Sequence, residues 1–84
     1  QYVGVPLVVF EVLTPSTAQR DRDYKARRYL GLGVEEVWLV DRREGTIEIA
    51  TLREGTRTFR GDLRACSDAI DGFALVPGGL FASA

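Results

Sequence analysis

One carboxylate stands inside an apolar run. Residues 7–13 read LVVFEVL, and Glu11 is the only charge among them. Burying an unpaired carboxylate is costly, so Glu11 must be paired, protonated or bound to a cation. Two readings meet that demand: a structural ion pair with a Lys or Arg of the next helix, or a functional carboxylate. The spacing leaves both open. Further on, Arg20, Arg22, Lys25, Arg27 and Arg28 stand against Asp21 and Asp23. Such a run is ordinarily a solvated helix face; the sharper reading is a local phosphate-binding edge. There is no histidine, which excludes a Ser-His or Cys-His dyad from this chain. Cys66, the sole cysteine, forms no internal disulfide, fits a reducing compartment and offers no zinc site of the His/Cys kind. Gly31-Leu32-Gly33 lacks a third glycine and follows a helical pattern, so it reads as capping and not as a dinucleotide loop.

These residues need elements to hold them. The Val-rich run over 7–13 is too short to span a membrane and reads as a buried strand. Its side chains alternate: Leu7, Val9, Glu11 and Leu13 on one face, Val8, Phe10 and Val12 on the other. Both faces are apolar apart from Glu11, as in a strand covered on both sides. Pro15 ends the strand at Thr14, and Ser16 or Thr17 can cap a helix that runs to Leu30. Ala26, Tyr29 and Leu30 form its packing stripe. Residues 37–40, VWLV, give a second buried strand ending at Asp41. Strand, helix and strand make a βαβ unit with parallel strands and a right-handed crossover. A hairpin turn over 42–45 leads to the alternating strand 46–52, with one wet face. A turn at Glu54-Gly55 leads to a polar edge strand over 56–60. Residues 65–70 read as a helical turn or loop, and 73–76 as a short strand. Pro77-Gly78-Gly79 breaks that strand, and Leu80-Phe81 packs back onto the core.

Eighty-four residues suffice for one small domain. Net charge is −1 with a pI of about 5.3, so overall electrostatics lends nucleic-acid binding no support. Neither a signal peptide nor a spanning segment is expected, and the expected location is the cytoplasm. The chain opens on Gln1, contains no methionine and enters a core-type strand almost at once. The expectation is a single incomplete domain over 1–84, lacking an N-terminal part.

Three segments carry a resemblance: LVVFEVLTPST over 7–17, Arg20-Asp21 with Lys25 and Tyr29, and GVEEVWLVD over 33–41. In their order and spacing the chain resembles the Uma-type putative restriction endonucleases of the PD-(D/E)XK nuclease superfamily. The resemblance implies a restriction-endonuclease-like α/β fold, a mixed sheet in which a βαβ unit precedes antiparallel hairpins, with its N-terminal part missing. It implies that Glu11 is the family's strand glutamate, a ligand for magnesium or manganese, since hard cations take carboxylate oxygens. The position two residues on, often lysine in the superfamily, is Leu13 here. Lys25 matches the family's helix lysine and can reach the phosphate or the attacking water. Asp41 matches an aspartate that makes a strand-end or turn contact. The superfamily's first metal-binding Asp has no counterpart in this sequence.

The function implied is the C-terminal part of a metal-dependent DNA endonuclease, inactive by itself. The alternative is a non-catalytic remnant or interaction module of the same fold. Catalytic roles fall to Glu11 and Lys25, and the metal role to Glu11. DNA is the expected substrate, no membrane is involved, and the chain is expected to form a homo-oligomer or to associate with the missing N-terminal part. Glu11 and Lys25 should approach one another.

Overall fold

The computed structural model describes residues 4–14 and 20–82. The expected turn at Pro15 and the candidate caps Ser16 and Thr17 lie outside the described residues. Strand β1 (Val8–Leu13) is followed by helix α1 (Arg20–Gly31) and strand β2 (Glu36–Asp41). Strands β3 (Thr46–Thr51) and β4 (Gly55–Arg60) complete a four-stranded sheet in the order β1-β2-β3-β4. β1 pairs with β2 in parallel, as the βαβ reading requires, and β2, β3 and β4 run antiparallel in turn.

Period-2 alternation sorts the sheet residues into two cores. On the α1 side, Leu13, Val37, Leu39 and Ala50 meet Ala26 and Leu30 of the helix. On the other side, Trp38, Ile47 and Ile49 pack with Ala65. There Phe10, Trp38 and Phe73 form a ring cluster with centroids 5.3 to 5.8 Å apart, the spacing at which tilted and edge contacts are favourable. Helix α1 stops because Gly33 takes a left-handed φ of +102°, and its amide donates to the carbonyl of Leu30 at 3.1 Å.

Three expectations are corrected. β1 is not covered on both sides: among the described residues it is the sheet's edge, with Phe10 and Val12 exposed. Of the helical turn or loop expected over 65–70, the loop holds for 67–70, but β5 (Ala65–Cys66) pairs antiparallel with β6 (Ala74–Leu75), two strands too short to leave a periodic signal. Pro77 ends β6 but opens a short helix, α2 (Pro77–Phe81), because proline's fixed φ and missing N–H suit a helix's first position. In α2, Phe81 is half-buried and Leu80 remains exposed. Among the described residues no helix is long and apolar enough to cross a membrane.

Candidate functional site

Glu11 lies on the α1 face of β1, between Val9 and Leu13, both of which pack into the helix-side core. Helix α1 crosses above it. Lys25 Nζ donates to Glu11 Oε1 at 2.8 Å, and Tyr29 Oη donates to Glu11 Oε2 at 3.3 Å. The carboxylate is mostly buried while the lysine remains 42% exposed. Solvent therefore screens the pair, which contributes roughly 0.2–1 kcal/mol to stability. The expected approach of Glu11 and Lys25 is present.

Across the sheet the same face carries two more carboxylates. Glu11 is in register with Leu39, and Leu39 with Glu48. Strands are about 4.8 Å apart, so the Glu11 and Glu48 backbones stand roughly 10 Å from each other. Asp41 ends β2 on this face. Arg22 joins the two carboxylates of β2 and β3: its Nη2 donates to Asp41 Oδ2 at 2.7 Å and its Nη1 to Glu48 Oε2 at 3.2 Å. Asp41 Oδ1 accepts the Glu44 amide at 3.0 Å, the turn contact expected at the end of that strand. Burial raises the Glu48 carboxyl above its ordinary range; Arg22 opposes that rise and Asp41 adds to it. Glu48 Oε1 and Arg22 Nε are buried without a hydrogen-bond partner among the described residues.

A fourth carboxylate, Glu36, lies at the start of β2 on the opposite face. It is 2% exposed. Its Oε1 accepts from Trp38 Nε1 at 3.0 Å and Ser67 Oγ at 2.7 Å; its Oε2 accepts the amides of Asp68 at 2.7 Å and Ala69 at 3.1 Å. Burial pushes this carboxyl up, but the four donors together outweigh burial and hold it below its ordinary value. Every oxygen is engaged, so Glu36 pins the loop between β5 and β6 to the sheet. A groove of about 340 Å³ beside it, lined in part by Val34, Thr51 and Asp68, includes neither Glu11 nor Lys25.

Sequence reasoning anticipates the approach of Lys25 to Glu11 and the turn contact of Asp41. It misses the bridging role of Arg22, which belongs to a run read as a solvated face. Glu48 is missed because it reads as the wet side of an alternating strand. Arg27 and Arg28 do face solvent. The signal for Arg22 was available: with Lys25 and Tyr29 it makes an i, i+3, i+7 stripe on one side of the helix.

No curated protein gives a significant match to this chain. Among solved structures, a putative nuclease belonging to DUF820 from Anabaena variabilis aligns with a TM-score of 0.80 at 22% identity. The alignment covers 96% of this chain and 46% of the other, so the chain spans just under half the length of that relative, and at this identity the likeness shows the fold. The family model Uma2, described as putative restriction endonuclease, matches residues 1–77. With 77 of 84 residues matched, the resemblance carried by Glu11, Lys25 and the strand ending at Asp41 extends over nearly the whole sequence, and the chain belongs to the Uma2 family of putative restriction endonucleases.

Proposed function

We propose that these residues supply Glu11 and Lys25 to the catalytic centre of a magnesium- or manganese-dependent DNA endonuclease of the PD-(D/E)XK class, acting in the cytoplasm. The observation that carries this reading is the 2.8 Å contact between Lys25 Nζ and Glu11 Oε1. Leu13, at the position where the superfamily often has its lysine, is buried in the helix-side core. Lys25 reaches the same face from the helix instead. There its ammonium can orient Glu11 and, being part-exposed, can contact a phosphate oxygen.

The residues present do not complete a site for the ion. Magnesium takes six oxygens in near-octahedral geometry. Among the described residues no three acidic or cysteine side chains converge as metal ligands, and both Glu11 oxygens accept hydrogen bonds from protein side chains. We therefore assign Glu11 as one ligand of a set completed by residues outside these 84, and infer that the 84 residues do not cleave DNA by themselves. The exposed apolar side chains of β1, Phe10 and Val12, suit association with those residues or with a second copy. The engagement of both Glu11 oxygens also favours a second reading, a non-catalytic module that kept the fold and uses the pair structurally.

Plasmid nicking separates the two. Supercoiled DNA is incubated with Mg²⁺ or Mn²⁺ and either the 84 residues or the full-length protein containing them, each with and without Glu11→Gln. The nuclease reading expects metal-dependent nicking by the full-length protein alone, abolished by Glu11→Gln. Nicking that survives Glu11→Gln refutes the assignment of Glu11, and nicking by the 84 residues refutes the incomplete ligand set. An inert full-length protein supports the non-catalytic module.

A further inference from the structure

Helix α1 has little apolar grip on the sheet. Among its described side chains only Ala26 and Leu30 are buried, while Arg22, Lys25 and Tyr29 are half-buried. At about 100° per residue these five fall within a sector roughly 140° wide, with Lys25 and Leu30 at its margins. A helix held by one alanine, one leucine and the half-buried ring of Tyr29 is weakly fixed against rotation, since apolar contact is non-directional. Directional contacts must set the angle. Among the described residues such contacts join Lys25 and Tyr29 to Glu11 of β1, and Arg22 to Asp41 of β2 and Glu48 of β3. They grip the sheet on either side of Leu39, the residue in register with both Glu11 and Glu48.

We propose that Arg22 is a positioning residue for the Glu11–Lys25 pair: by clamping α1 to Asp41 and Glu48 it sets the helix rotation that brings Lys25 Nζ against Glu11 Oε1. As a statement about catalysis this rests on the nuclease reading above; as a statement about geometry it does not. Rotating α1 by about 20° carries a group about 6 Å from its axis through about 2 Å, enough to break the Lys25–Glu11 contact. The Arg22 side chain is 21% exposed, and those of its partners only 5% and 13%. Removing the guanidinium takes the bridging cation away from two neighbouring carboxylates in a part-buried site. Their repulsion pushes in the direction that loosens α1. Arginine suits the role because its planar fork can hold two acceptors at once, which an ammonium does with less directional control.

Lys25 is the only lysine of these 84 residues, so the proteolytic peptide that carries it reports its amine alone. The full-length protein is labelled with a trace of acetic anhydride at neutral pH and 25 °C, and the ratio of Lys25 to α-amino acetylation is taken by mass spectrometry. Arg22→Gln is expected to raise the ratio about two- to fivefold, towards the value for Glu11→Gln, the range a part-exposed ion pair supports. Arg22→Lys should fall between. Ile49→Val, on the far face of the sheet, lowers stability without touching the clamp and should leave the ratio unchanged. If Arg22→Gln does not fold, Asp41→Asn and Arg22→Lys carry the test. In plasmid cleavage Arg22→Gln should lower kcat at least tenfold with KM for DNA within twofold. An unchanged acetylation ratio in a folded Arg22 variant overturns the proposal. So does an unchanged ratio with a raised KM, which would make Arg22 a phosphate ligand. A raised ratio in a protein that cleaves nothing leaves the clamp standing and removes the nuclease reading.

Discussion

Replacing Glu36 with glutamine changes one atom in a fully buried site, and its effect can be worked from four distances. The carboxylate accepts from Trp38 Nε1 at 3.0 Å, Ser67 Oγ at 2.7 Å and the amides of Asp68 and Ala69 at 2.7 and 3.1 Å. A glutamine has one acceptor oxygen. If that oxygen keeps the two amides, its NH₂ faces the Trp38 N–H, and two donors meet. The Ser67 hydroxyl can turn to accept, but the indole N–H cannot. The charge-assisted bond from Trp38 is lost, worth about 1.5–3 kcal/mol, and a buried donor left without an acceptor costs about 1–3 kcal/mol. The terms overlap, and the expected loss is about 3–5 kcal/mol. A domain of this size has a total stability on the order of 4–13 kcal/mol. With a urea m-value of about 2 kcal/mol/M, the midpoint should fall by about 2 M. The pH dependence gives a second reading. Because the folded-state pKa lies below the ordinary 4.5, the stabilisation from Glu36 is fully present above pH 4.5 and lost as pH falls through the folded value. The gap between wild type and Glu36→Gln should therefore narrow in acid. A loss under about 1 kcal/mol at pH 7, with unchanged m, would refute the claim that these four bonds pin the loop.

Glu48 has the opposite sign. Its folded-state pKa is raised, so its contribution is present below pH 4.5 and declines as pH rises through the folded value. Glu48→Gln, which keeps an acceptor for Arg22, should lie within about 1 kcal/mol of wild type at pH 7. Its stability profile above pH 4.5 should be flatter, as urea midpoints at several pH values will show. Gly78→Ala should cost about 1–3 kcal/mol by thermal melting, because a Cβ there stands 3.0 Å from the Gly61 carbonyl oxygen; Gly79→Ala meets nothing within 4 Å and serves as the control. Tyr29→Phe removes a single 3.3 Å bond to Glu11 and should cost about 0.5–1.5 kcal/mol in chemical denaturation.

The parallel pairing of β1 and β2 was legible because two short apolar runs flank a helix-length charged segment, and few topologies accept that order. The partner of Glu11 was legible because a carboxylate on a core strand requires one, and the crossing helix was the only local source of cations. Glu48 was not, because a polar residue on an alternating strand looks the same whether water or an arginine covers it. Arg22 follows the same logic from the helix side. Glu36 was hidden for a different reason. Three of its donors come from Ser67, Asp68 and Ala69, more than thirty residues away, in a loop held by two-residue strands without periodicity. The short helix at Pro77 was hidden by composition, since Pro-Gly-Gly is read as a breaker unless the first helical position is considered.

The edge of β1, unpaired among the described residues, links solubility to chemistry. Within Val8–Leu13 there is no lysine or proline of the kind that shields sheet edges, and Glu11 is the sole charge. A strand added there would lie about 4.8 Å away, and its residue opposite Glu11 would place a Cβ about 5 Å from that of Glu11. This backbone row is thus also the one from which a neighbouring strand's side chains would reach Glu11 most directly. Any strand that shields this edge from aggregation during biogenesis also determines which atoms Glu11 meets. Shielding of the edge and the surroundings of Glu11 are then set by one and the same strand.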